Sequence, residues 1–147
     1  MDYLLDSNIL LYAKMDSMPE HKIVSKWLEE IVSNQNNTVG ICETSLLSFL
    51  RIATNEKVFQ PVLSTREAES FIGSLLSCAN VNVLHPSANH FLEVIKLMGK
   101  FNLRGNLVMD VHLAVLALTT GATLATRNKD FTKIPYLKIF NPLAVKT

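Results

Sequence analysis

The chain has 147 residues, of which 48% are hydrophobic and 18% charged, and its formal net charge is +1. That length fits one domain with a buried core, and so large an apolar share excludes a disordered chain. The near-neutral balance excludes a broad basic field, so any contact with nucleic acid must come from local patches or from a metal ion.

The cysteines, Cys42 and Cys78, each sit among apolar neighbours and outside any CxxC or Cys/His cluster. They read as buried thiols, which leaves no basis for a structural zinc site. The opening MDYLLDSNILLYAKMD lacks a basic stretch ahead of its apolar run, and Asp6 interrupts that run, so it does not read as a signal peptide. No apolar run reaches the roughly 20 residues of a membrane span. The expected compartment is the cytoplasm, with no membrane partner.

In chain order, the first expected element is a short buried strand, Tyr3 to Leu5, ending at Asp6. A short helix is expected over Asn8 to Lys14. Pro19 is expected to open a second helix, where its missing N–H is harmless, with Ile23, Val24, Trp27, Leu28, Ile31 and Val32 at helical spacing. Thr38 to Cys42 reads as a second strand. Glu43 to Thr54 reads as a helix with Leu46, Leu47, Phe49, Leu50 and Ile52 inside. After a loop holding Pro61, Thr65 is the expected cap of a helix whose buried stripe is Ala68, Phe71, Ile72, Leu75 and Leu76. Val81 to Leu84 is the third strand. A helix over Ala88 to Phe101 follows, with Phe91, Leu92, Val94, Ile95 and Met98 as its apolar side. Gly105 and Asn106 turn into a long apolar helix, Leu107 to Thr120, for which Gly121 is the expected stop. Ala122 to Thr126 is the fourth strand, and Leu137 to Phe140 can supply a fifth. Short apolar strands alternating with helices indicate an α/β domain, residues 1–147, with a mostly parallel central sheet of four to five strands.

Two acids stand out by their surroundings. Asp6 ends a buried strand, and Asp110 lies in LVMDVHLAVLAL, where only it and His112 interrupt the apolar run. A buried carboxylate needs a partner, a proton or a metal. In an open parallel sheet, ligands collect beyond the carboxyl ends of the strands, where Asp6 sits and toward which Asp110 can face. Each also has a purely structural reading: a helix N-cap for Asp6, a buried ion pair or a cap interaction for Asp110. Asp130, in TRNKDF after the fourth strand, can reach the same crevice or be an ordinary loop acid. Glu43 starts a helix, where the macrodipole alone favours an acid. Oxygen ligands without a Cys/His set point to a hard cation, Mg²⁺ or Mn²⁺, one ion or two. Such an ion lowers the pKa of bound water and orients a phosphodiester for in-line attack. His112, two residues past Asp110 on a helix, reads as a semi-buried histidine more readily than as a general base.

At these residues the chain resembles the PIN-domain family, and within it the VapC-type ribonuclease toxins of bacterial toxin–antitoxin pairs. LLDSNILLYA is similar to the family's first motif, with Asp6 as metal ligand and Asn8 in a supporting polar role. FLRIATN (49–55) resembles a subgroup signature. GNLVMD (105–110) followed by His112-Leu113-Ala114 resembles the third acidic motif, with Asp110 as the second principal magnesium ligand. TRNKDF resembles the last motif, and the ending Phe140-Asn141-Pro142-Leu143 also fits. The chain departs from the pattern at Ser48, where many members carry a Glu, and at Asn128, where the last motif has its first acid, leaving Asp130.

The resemblance implies a three-layer α/β/α fold and a magnesium-dependent endoribonuclease. It also implies an RNA substrate such as transfer RNA, a small antitoxin partner and a homodimer. Fewer carboxylates imply weaker magnesium binding. Arg51, Lys57, Arg66, Lys100, Arg104, Arg127 and Lys129 are candidate phosphate contacts, with Arg104 and Arg127 nearest in sequence to the proposed acids; each also reads as part of a solvated face, and Arg51 as the partner of a core acid. A PIN-like fold that only binds RNA or protein is the main alternative. An aspartyl phosphatase is disfavoured because Asn8 stands where a second Asp belongs. A receiver domain lacks its adjacent acid at Ser7, and a dinucleotide-binding module lacks GxGxxG.

Overall fold

The computed structural model describes residues 1–144; the expected domain's last three residues, 145–147, lie outside them. Five parallel strands form one sheet: β1 (Tyr3–Leu5), β2 (Val39–Cys42), β3 (Val81–Leu84), β4 (Thr123–Ala125) and β5 (Ile139–Phe140). Their order is β3-β2-β1-β4-β5. The chain therefore adds strands outward from β1 in one direction and then returns to add β4 and β5 on its other side. The reversal lies between β1 and β4, which pair Tyr3 with Thr123, Leu4 with Leu124 and Leu5 with Ala125. A crevice opens at such a reversal, because the connections leave the two strands toward opposite faces.

Successive residues of β1 point to opposite faces, and this assigns the layers. Leu5 joins a core with Ile9, Leu10, Val24, Leu28, Phe49, Ala68 and Leu75. Those residues come from α1 (Ser7–Lys14), α2 (His21–Ser33), α3 (Glu43–Ala53) and α4 (Thr65–Leu76). Leu4 joins the opposite core, with Leu113, Leu116, Ala117 and Phe131. That layer is built on α6 (Val108–Thr120), over which α5 (His90–Lys100) packs through Val94, Val111 and Val115. The result is the expected α/β/α sandwich.

Several local expectations are corrected. Pro19 lies in the turn before α2, and Glu20 is the residue that precedes the helix. Ser64, rather than Thr65, caps α4: its hydroxyl accepts from Glu67 N–H while the Glu67 carboxylate accepts from Ser64 N–H. Ile23, Leu47, Leu50, Phe91, Leu92 and Ile95, all expected inside, are exposed. Helical spacing identified the right elements but overestimated how wide a face each buries. In α5 only His90 and Val94 are fully covered. Gly121 ends α6 at φ 69°, a left-handed conformation that a side chain would strain. Cys42 is buried, whereas Cys78 is half-buried. Among the described residues no helix is long and apolar enough to cross a membrane.

Candidate metal centre

Asp6 leaves β1 with an extended backbone and becomes the cap of α1. Its Oδ1 accepts from Ser7 N–H at 2.7 Å. Its Oδ2 accepts from the Thr126 hydroxyl at 2.7 Å and from Asn8 Nδ2 at 3.2 Å. The cap reading and the cleft position hold together, because the two oxygens divide the roles. Burial pushes the Asp6 carboxyl up, against the hydrogen bonds from Thr126 and Ser7, which pull it down. Thr126, 1% exposed at the end of β4, also accepts from Asn8 Nδ2 at 3.2 Å and from Asn128 N–H at 3.0 Å. It ties the ends of β1 and β4 together. Its buried hydroxyl beside a strand-end acid is the feature that sequence reasoning passed over while it weighed only the acids of TRNKDF.

Asp110 enters from the first turn of α6. Burial raises its carboxyl, and the negative charges of Asp6 and Asp130 raise it further; among the described residues no hydrogen bond offsets them. Asp6 and Asp110 line one polar cleft of about 150 Å³ together with Ser7, Thr44, Ser45 and Ser48. Ser48, at the position where the resemblance expects a Glu, thus faces the cleft with a hydroxyl.

The other expected site residues divide. Asn8 is in place, braced between Asp6 and Thr126, and its Oδ1 accepts from Arg127 N–H at 3.3 Å. Asp130 is near enough to act on Asp110 by charge, but it is exposed and lies 3.7 Å from Lys133 Nζ. Asn128 serves as a local cap, its Oδ1 accepting from Asp130 N–H at 3.0 Å. Glu43 turns away from the cleft and meets His85 Nδ1 at 2.9 Å, on the rim of a separate apolar groove. The Arg127 guanidinium is held by Glu20 and by the Tyr12 hydroxyl, so it is already partnered. Arg104 is exposed and donates to Asn102 Oδ1 at 3.2 Å. Arg51 is exposed.

Among the described residues, no three His, Cys, Asp or Glu side chains form a ready-made metal cage. The chain instead offers two carboxylates and several hydroxyls around one cleft. This donor set fits Mg²⁺, which commonly takes one or two carboxylates and keeps several waters. The fit is also electrostatic: the two acids line one cleft, burial raises both carboxyls, and the charge of Asp6 raises that of Asp110 further.

The family model for the PIN domain matches residues 3–136. This chain belongs to the PIN-domain family. Among relatives of this PIN-domain protein, Ribonuclease VapC33 of Mycobacterium tuberculosis is 31% identical, covering 94% of this chain and 96% of its own. Ribonuclease VapC43 of the same organism is 29% identical, with 97% of each chain covered. Among solved structures, the PIN-domain chain is similar to VapBC2 from Rickettsia felis bound to a DNA fragment from its promoter. The TM-score is 0.70 at 25% identity, covering 96% of this chain and 98% of that one. Mycobacterium tuberculosis VapC20, a sarcin-ricin loop cleaving toxin, shares the fold at a TM-score of 0.68 and 12% identity, with 93% and 98% covered.

Proposed function

We propose that this PIN-domain protein is a magnesium-dependent endoribonuclease, the toxin of a VapBC-type pair, acting in the cytoplasm on a structured RNA such as transfer RNA. The observation that carries the reading is the convergence of Asp6 and Asp110 on one cleft at the β1/β4 reversal. The relatives named as ribonucleases support the chemistry, and the likeness to VapBC2 supports the pairing.

Asp6 and Asp110 would hold the Mg²⁺, or Mn²⁺ in its place, which supplies activation of water and neutralisation of phosphate charge. The chain's own residues prepare that site. Thr126, Asn8 and Ser7 N–H fix the Asp6 carboxylate, so little reorganisation remains when a cation arrives. Asp110 makes no such bonds among the described residues, which leaves its oxygens available. Ser48 offers a neutral oxygen where a Glu would add charge, so affinity for Mg²⁺ is expected to be modest. Arg104 can reach RNA phosphates without breaking an ion pair, whereas Arg127 must first leave Glu20.

A small antitoxin is the proposed partner. Support comes from the apolar groove of Cys42, Pro86, Phe91, Val94, Val108 and Met109, about 440 Å³, which borders the cleft through Thr44 and Met109. A segment seated there would cover the rim of the cleft. A second apolar surface, Leu46, Leu50, Ile72 and Leu76 across α3 and α4, supports a homodimer, with solution mass as the check.

The test is cleavage of transfer RNA by the purified protein. Expected is strand scission with Mg²⁺ that EDTA stops and that Asp6→Asn and Asp110→Asn each abolish with the fold intact. Wild-type-like cleavage by either pure variant would overturn the reading. Retained RNA binding without scission by the wild type would favour the binding-only alternative.

A further inference from the structure

We propose that Arg127 is a positioning residue for the metal centre: pinned by Glu20 and Tyr12, it holds the Asn8 amide, and through it the Asp6 carboxylate, in place. This rests on the reading of Asp6 as a metal ligand and gives Arg127 a role other than phosphate contact. The two hydrogens of Arg127 Nη1 go to different elements, one to the Tyr12 hydroxyl of α1 at 3.0 Å and one to Glu20 Oε1 at the cap of α2. The guanidinium also lies 5.6 Å from the centre of the Tyr12 ring. The Arg127 N–H meanwhile donates to Asn8 Oδ1 at 3.3 Å. Asn8 and Tyr12 are four residues apart on α1 and so share one face of it. Residue 127 therefore grips α1 at two successive turns, with its side chain and with its backbone.

That grip ends on Asp6. Asn8 Nδ2 donates to Asp6 Oδ2 and to the Thr126 hydroxyl oxygen, each at 3.2 Å. An Asn amide can turn over, which here would set its oxygen against the Asp6 carboxylate. The Arg127 N–H forbids the turned amide, because Nδ2 would then meet a donor. Asp6 also caps α1, so any shift of α1 against β4 moves the acid itself. Arg127 directly follows Thr126 where the chain leaves β4, and its two bonds from Nη1 tie that segment to α1 and to α2.

Glu20 keeps the guanidinium where it is. The Glu20 side chain is 17% exposed, and its Oε2 is buried without a hydrogen-bond partner among the described residues. Moving Arg127 to a phosphate would strand that carboxylate, which is strongly disfavoured. Position agrees with this: Tyr12, Glu20 and Arg127 all lie outside the lining of the Asp6–Asp110 cleft. Arginine supplies what lysine does not, two hydrogens on one planar nitrogen held at a fixed angle toward two acceptors.

The test measures two quantities in the full-length protein: Mn²⁺ affinity by calorimetry, and transfer RNA binding in EDTA, where cleavage is stopped. Arg127→Gln is expected to weaken Mn²⁺ binding about fivefold, less than the loss typical of a group bonded directly to a ligand. The double variant Glu20→Gln/Arg127→Gln strands no charge, so it keeps the test open if Arg127→Gln fails to fold, and it loses no more affinity than Arg127→Gln. Arg127→Lys keeps the ion pair without the bond to Tyr12 and falls between wild type and Arg127→Gln. Ser64→Ala removes a helix cap far from the cleft and leaves Mn²⁺ affinity unchanged, which separates positioning from lost stability. The salt dependence of transfer RNA binding is expected to be the same in Arg127→Gln as in wild type, whereas a lost phosphate contact lowers that slope by about 1. Wild-type Mn²⁺ affinity in the double variant, a lowered salt slope in Arg127→Gln, or tighter RNA binding once Glu20→Gln releases the guanidinium would overturn the inference while leaving the ribonuclease reading in place. No Mn²⁺ binding by the wild type would defeat that reading, and this inference with it.

Discussion

Thr126 and Asp110 illustrate opposite ways of burying polarity beside one cleft. The Thr126 hydroxyl is fully engaged, giving one hydrogen bond to Asp6 and receiving two, from Asn8 and the Asn128 N–H. Thr126→Val keeps the shape and orphans these groups, so it is expected to lower stability by about 2 kcal/mol, read by urea denaturation. Asp110 is the reverse: an acid that the fold does not satisfy. Its carboxyl sits above the ordinary 3.8, so the native state holds a proton that the unfolded chain has already released. Stability of the metal-free protein therefore falls as pH rises above about 3.8, until the raised value is passed, and the penalty persists at neutral pH. Asp110→Asn removes that penalty. The variant is expected to melt higher than the wild type at pH 7 without metal, and to lose the melting shift that Mn²⁺ gives the wild type. A lower melting temperature for the variant in EDTA would contradict this.

Among the elements, the helix ends decide where chemistry falls. Glu43 and Thr44 are neighbours at the start of α3, yet Glu43 faces His85 and Thr44 faces the cleft. Glu43→Gln is therefore expected to leave Mn²⁺ affinity within about twofold, since an exposed ion pair contributes little. The capping box at Ser64 is a structural counterpart with no link to the cleft. Ser64→Ala is expected to cost about 1 kcal/mol in thermal or chemical unfolding and nothing in RNA cleavage. Strand positions, helix existence and the placing of Asp6 and Asp110 at one cleft were legible in the sequence, because an acid that interrupts an apolar run has few folded interpretations. The direction of Glu43, the Arg127–Glu20 pair and the His90–His112 contact were not. Each depends on residues brought together from distant elements, and helical periodicity carries no information about such pairs. The exposed faces of α3 and α5 were misjudged for a related reason. Leu47, Phe91, Leu92 and Ile95 follow an apolar pattern that the described chain leaves exposed.

At the scale of the whole molecule, the sheet order puts the ends of β1 and β4 side by side, and α6 crosses to bring Asp110 to the same place. Helices bury both faces of the sheet, so the cleft at the strand ends is where polar groups from separate layers can meet. The apolar groove shares Thr44 and Met109 with that cleft, so it lies beside the two acids rather than across the molecule. The central claim is that Asp6 and Asp110 together hold a divalent ion. Its most direct test is calorimetric titration of Mn²⁺ into the purified protein and into Asp110→Asn under identical conditions. Saturable binding by the wild type, weakened at least about tenfold in Asp110→Asn, is the expected result. Equal affinity in the two proteins, or no binding by the wild type, would contradict it.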